Sequence, residues 1–350
     1  MKRILITSIL LITSAVSTSY AGEMGHYSPA PMAVRDFAMP REPVKAFVSY
    51  NTFYNADEFR NKNGDKVNSV SVTGSRTVNV GLFNQTLPID ITGTATIGID
   101  LDIDVFLQGV GYLQITDKKF FGGRYGYVVM PMWGSTNVEV EVSADATGTA
   151  SIGGISKAFT AATSAKIDHD ATGFADLFIK PIWLGWSDTH YDVGLSWSAY
   201  LPTGYYDKDE IANIGHGYFT SQTQASFYYY PFEDMSTAFM FTPTWEWHSK
   251  KIDKDVTPGQ NMTIEYGIGQ YLHERFEIGV HGYHQWQITE DGGSSATNKD
   301  VKDKVSGIGG QMTYWAIKEK CALVGKFVQE YGAEDRLQGQ YGEFNLTWIF

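Results

Sequence analysis

From position 94 onward the chain alternates apolar and polar residues with a two-residue period. Ile97, Ile99, Leu101, Ile103 and Val105 share one face of an extended segment, and Asp100, Asp102 and Asp104 share the other. Later segments repeat the pattern. Phe239, Phe241, Trp245 and Trp247 oppose Thr242, Thr244, Glu246 and His248, and Met262, Ile264, Tyr266 and Ile268 oppose Thr263 and Glu265. Ile278, Val280, His284 and Trp286 oppose Glu277, His281 and Gln285, while Leu177, Ile179 and Trp183 oppose Asp176 and Lys180. The alternation predicts twelve strands, at 44–54, 94–115, 123–143, 172–186, 190–201, 218–230, 236–249, 261–271, 275–289, 304–316, 321–331 and 337–350. The stretch 67–83 also has β character and predicts an extra hairpin in the first long loop, and the small-residue-rich stretch 151–167 predicts an extension of the second.

A soluble sandwich alternates too, with its apolar face inside. Two features favour an all-β, transmembrane, antiparallel up-and-down β-barrel. Tryptophan and tyrosine gather near the strand ends, as an aromatic girdle requires. The links also alternate: 117–122, 188–190, 231–236, 272–275 and 317–320 are short, and 55–93, 144–171, 203–217, 250–260 and 290–303 are long. An even strand count puts both ends of the barrel on the periplasmic side, with the short turns. The chain closes on Phe344, Leu346, Trp348 and Phe350 at alternate positions. That ending resembles the C-terminal signal of bacterial outer-membrane barrels, which implies the barrel assembly machinery as a partner.

Charge then sets a register. A carboxylate facing the bilayer centre costs about 2.5–3.5 kcal/mol. Asp100, Asp102 and Asp104 are therefore expected inside, with Glu139, Glu141, Asp176, Glu246, Glu265 and Glu277. Lys180 and Lys326 are expected as counter-charges. Rings of carboxylates favour cations in a pore. The competing reading is a filled barrel whose groups satisfy one another and water.

The first 21 residues read as a secretory signal peptide, with Lys2 and Arg3, an apolar run over 4–16 that is too short to span a membrane, and Ser19-Tyr20-Ala21 before the cleavage point. Residues 22–43 carry four prolines and no periodicity. This segment is either a periplasmic tail or a plug folded into the lumen. The second reading places His26, Tyr27 and Arg35 against the acidic wall. Residues 44–350 form the barrel.

Composition narrows the chemistry. With 27 Lys+Arg against 39 Asp+Glu, a nucleic-acid partner is not expected. Cys321 is the only cysteine, so disulfides and multi-thiolate zinc sites are excluded. The eight histidines show no metal-ligand spacing, since His281 and His284 fall on opposite faces of one strand. No cofactor signature and no catalytic set is expected, and a monomer is the default for a barrel that closes its own edges. Tyr205, Tyr206, His216, Tyr218 and Phe219 form a candidate aromatic capture site on one long loop, or else ordinary loop packing.

Several motifs run in order along the chain: Gly25-His26-Tyr27-Ser28-Pro29, Arg35-Asp36-Phe37-Ala38-Met39-Pro40, Pro181-Ile182-Trp183-Leu184-Gly185-Trp186, Asn213-Ile214-Gly215-His216-Gly217 and Gly282-Tyr283-His284-Gln285-Trp286. In these the chain resembles the outer-membrane family named for the meta-pathway of phenol degradation. The resemblance implies an outer-membrane channel for passive passage of small, hydrophobic or aromatic compounds, with the lipid bilayer and a small solute as partners. Two alternatives stand beside it: a structural or adhesive barrel with a closed lumen, and an outer-membrane lipid hydrolase built on His284.

Overall fold

The computed structural model describes residues 25–82, 85–152, 155–210, 212–296 and 299–350. The expected signal peptide lies outside the described residues.

The described chain is one all-antiparallel sheet, rolled until its first strand meets its last. Strand β1 (Val44–Arg60) pairs with β15 (Arg336–Ile349) on one side and with β3 (Gln85–Phe120) on the other. Between them come β7 (Leu177–Ser187), β8 (Tyr191–Leu201), β9 (Thr220–Tyr229), β10 (Thr237–His248), β11 (Asn261–His273), β12 (Phe276–Gln287), β13 (Lys304–Ile317) and β14 (Cys321–Glu334), each paired with its neighbour.

Two barrel strands are broken in the middle. Pro131, which has no N–H to donate to the ladder, divides β4 (Gly123–Met130) from β5 (Met132–Ile152). Ala175 and Asp176 divide β6 (Ile155–Phe174) from β7. β4 with β5, and β6 with β7, each count once, giving a closed barrel of 12 strands.

At 36 residues, β3 far exceeds the ~9–11 residues of a membrane-crossing strand. Its first half pairs with β2 (Ser69–Leu82) and with β5, and β5 pairs with β6, so a four-stranded sheet projects beyond the barrel at the long-loop end. Both hairpin extensions expected from the sequence are part of this projection.

The burial pattern is inverted relative to a soluble protein. Glu265, His281, Thr242 and Ser198 are fully enclosed, whereas Phe327, Phe344, Val280 and Ile308 are more than half exposed around the wall. An apolar outside and a polar inside are what lipid demands of a spanning barrel. At the short-turn end, Phe121 and Gly122 both take positive φ (54° and 81°), the type I′ geometry that joins β3 to β4 in two residues.

Two expected registers are corrected. Asp104 pairs with Asn55 and Phe106 with Phe53, a lipid-facing residue, so Asp100, Asp102 and Asp104 lie on the outer face and are exposed. Ile103, Leu107 and Leu113 point inward instead. The argument from lipid cost does not apply at these aspartates, because this part of β3 rises above the Phe53–Phe106–Trp133 aromatic level and faces water. Ile103 is covered from inside by Val138, Ala171, Ala212 and Ile214. Glu139 and Glu141, directly across from Asp102 and Asp100, share the outer face, where Lys166 offsets Glu139 at 2.6 Å. The second correction is Trp183. A bulge at Pro181 between Ile179 and Ile182 reverses the parity, so Ile182 is exposed and Trp183 is buried inside with Lys180.

Candidate functional site

The lumen is occupied by the chain's own N-terminal segment. His26 sits at the long-loop end, beside Thr220 and His248; Arg35 reaches the short turn at Met235 and Ser236; and Arg41 binds Asp188 and Asp192 before β1 begins. The segment therefore threads the barrel end to end. Its prolines keep it from joining the sheet, so wall side chains satisfy its backbone one group at a time. Gln311 accepts from the Val34 N–H (2.9 Å), Tyr228 donates to the Val34 carbonyl (2.6 Å), Asn345 donates to the Pro31 carbonyl (2.7 Å), and Lys326 donates to the Met32 carbonyl (2.7 Å). Val34 and Phe37 add an apolar contact with Tyr228, Tyr230, Ala238 and Met240.

The wall carboxylates serve this segment. The Tyr27 N–H donates to Glu246 (3.0 Å), and its hydroxyl donates to Glu265, which also meets His281 at 3.2 Å. Arg35 and Glu277 form an ion pair at 2.5 Å. Gly25 lies close under the wall: a Cβ there would meet the Glu246 carboxylate at 2.4 Å, and that side chain would have to move. Lys180 is buried without a carboxylate within ion-pair distance among the described residues. Its ammonium lies 3.4 Å from Gln224 and 5.2 Å from the centre of the Trp183 ring. The capture-site aromatics divide. Tyr218 is buried against His26 and His248, Tyr205 is exposed, and Tyr206 stays with the loop under Lys251.

The segment does not fill the lumen evenly. It hugs the polar wall of β9–β15 and leaves a cavity of about 170 Å³ against β1, β3, β4 and β7. Leu107, Leu113, Val128, Met130, Phe178 and Trp183 line it, with Met32 and Phe37 of the segment opposite and Lys180 the cation at its edge. The sequence reading missed this chamber. Its signal was the inward register of Leu107 and Leu113, hidden because the Asp100–Asp104 row had been placed inside.

Two titratable groups of the segment feel this enclosure. Burial pushes the His26 imidazole below its usual range, only partly offset by Asp176. Burial pushes the Asp36 carboxyl up to about 6, against the Ala33 N–H and Lys326, which favour its ionised form.

Outside the barrel, His284 Nδ1 lies 2.7 Å from Ser306 Oγ on the lipid-facing wall. Among the described residues no carboxylate or amide hydrogen-bonds this imidazole, so the orienting member of a hydrolytic triad is not assembled there.

A family model described as "Putative MetA-pathway of phenol degradation" matches residues 86–346, well over half of the chain. The chain belongs to that family. The chain also superposes on the COG4313 outer membrane channel from Pseudomonas putida F1, with a TM-score of 0.59, 13% identity, and coverage of 91% of this chain and 100% of the other. At that identity the likeness establishes the fold of an outer-membrane barrel. OmpT of Vibrio cholerae (TM-score 0.35, 7% identity, 89% and 100% covered) and OccAB4 of Acinetobacter baumannii (0.30, 8%, 88% and 98%) align more loosely. No curated protein matches the family member's sequence.

Proposed function

We propose that the protein is an outer-membrane channel for small compounds built on a single aromatic ring, and that its N-terminal segment closes the pore at rest. The cavity beside that segment carries the reading. An apolar cavity of ~150 Å³ accommodates benzene, and this one is about 170 Å³ with Leu, Val, Met, Phe and Trp around it. Lys180, which shares the lining with Asp36 and Asp176, suits a ring bearing a phenolic or carboxylate oxygen, because a buried ammonium gains from an anionic partner. The family's name, drawn from phenol degradation, agrees with a ring-shaped solute. The acidic groups that would select cations in an open pore are engaged by Tyr27 and Arg35 while the segment is seated.

The test is uptake of labelled benzoate and benzyl alcohol by cells expressing the wild type or Leu107→Trp. The larger ring takes up the chamber from the β3 wall. Loss of most protein-dependent uptake in Leu107→Trp, with surface expression unchanged, is the expected result. Equal uptake by both forms excludes the chamber as the route.

A further inference from the structure

We propose that His26, Asp176 and His216 bind one divalent late first-row metal cation, with Zn²⁺ as the reference ion, and that this ion clasps the leading end of the N-terminal segment to the barrel. The three residues come from three places: the segment, the β6–β7 break, and the loop between β8 and β9. Their donor atoms all lie within 4.8 Å of one another. His26 Nε2 is 2.8 Å from Asp176 Oδ2, and His216 Nδ1 approaches the same oxygen at 3.9 Å. Tetrahedral zinc with bonds of ~2.0–2.2 Å holds its ligands roughly 3.4 Å apart. An ion between them takes about half an ångström of adjustment in each distance to Asp176, one opening and one closing, together with closure of the His26–His216 donor pair from within 4.8 Å to the same roughly 3.4 Å.

His26 and Asp176 form one good hydrogen bond, and the His216 ring, 3.9 Å from the same carboxylate oxygen, packs on the His26 ring with centroids 4.1 Å apart. Two imidazoles and one carboxylate suit zinc, copper, iron or nickel rather than calcium or magnesium, which prefer oxygen.

The surroundings are those of a supported site. Asp176 Oδ1 accepts from the Gly204 N–H and Oδ2 from the His216 N–H, both at 2.9 Å. Gly204 and Gly215 permit this approach, since a Cβ at either would meet Asp176 at 2.8–3.0 Å. Thr220 Oγ1 lies 2.6 Å from His26 Nδ1, so the far side of that ring is also fixed, as metal-ligating histidines require. The His26 and Asp176 side chains are 3% and 2% exposed, while His216 at 37% keeps the site open to ions from outside. Binding here joins residue 26 to residues 150 and 190 positions away and stabilises the plugged state by mass action.

The test uses residues 22–350, refolded without a polyhistidine tag, stripped with a chelator and titrated with Zn²⁺ by calorimetry. His26→Gln, His216→Asn and the double variant are titrated beside it, with heat-modifiable gel mobility reporting the folded barrel. One Zn²⁺ per wild-type chain is expected, with binding at least tenfold weaker in each single variant and none measurable in the double. His216 lies on a half-exposed loop, so its variant keeps the fold even where His26→Gln does not. A wild type that binds no Zn²⁺, variants that bind it as tightly, or Ca²⁺ binding tighter than Zn²⁺ each overturn the site. Solute passage is not the readout, so this result is separate from that of the channel reading.

Discussion

Arg35 and Glu277 show how one residue holds the plug. Glu277 is 2% exposed, and its carboxylate meets the Arg35 guanidinium at 2.5 Å. Removing one partner of a buried pair leaves the other uncompensated, at a cost of about 3–5 kcal/mol. Arg35 is one-fifth exposed, which puts this pair at the lower end. Arg35→Ala is expected to loosen the segment at the short-turn end, read as at least tenfold faster proteolysis within 25–43 while the barrel keeps its heat-modifiable mobility. Unchanged proteolysis contradicts the role given to the pair. At this scale the sequence was informative wherever the period ran unbroken: Glu246, Glu265 and Glu277 were expected inside, and all are buried there. It misled at Trp183, because one bulge at Pro181 inverts every later side chain of the strand. It was silent on the His26–Asp176–His216 group, whose members are brought together by a threaded segment and a folded loop rather than by spacing.

The N-terminal segment and the projecting sheet carry the predictions at the level of elements. Asp36 belongs to the segment rather than to a spanning strand, and its carboxyl is pushed from an ordinary 3.8 up to about 6 when seated. The seated form therefore keeps a proton that the released form gives up between about pH 4 and 6. The contribution of Asp36 to seating is full below that window, weakens as the pH rises through it, and is lost above it, whereas His26, whose charged form burial disfavours, contributes in the opposite sense. Lys326, Glu277 and Tyr50 are the neighbours that bear on Asp36. Hydrogen exchange at 25–43, corrected for intrinsic rates, should be slower at pH 4.5 relative to pH 7.5 in the wild type than in Asp36→Asn. Identical pH profiles in the two proteins contradict the role given to Asp36. The projecting hairpins predict the opposite of importance. Barrel closure uses Ile103–Ile115 of β3 against Val44–Ala56 of β1, below the projection. Shortening both hairpins, by removing 71–94 and 147–164, should leave a folded, heat-modifiable barrel, and failure to refold would show that the sheet helps to close it. The first hairpin was legible in the sequence as β character and the second only as a small-residue-rich extension, and the geometry of neither was. Nothing in a period-two pattern says where a strand leaves the membrane, and that omission put Asp100, Asp102 and Asp104 in the lumen.

As a whole the molecule has an exposed apolar wall, a lumen split into a polar and an apolar half, and a segment that binds the polar half and leaves a chamber beside the other. The twelve-strand plan followed from alternation and link lengths, because lipid constrains every spanning residue in turn. The chamber did not, because it arises between a non-periodic segment and strands far from it in sequence. Whether this segment closes a channel is read most directly from planar-bilayer conductance of refolded residues 22–350 with and without residues 25–40. A quiet wild type is expected, and a steady, cation-preferring conductance after the deletion, once Glu246, Glu265 and Glu277 lose Tyr27 and Arg35. A deletion protein that is folded yet silent, or a wild type that conducts equally well, would contradict closure by this segment.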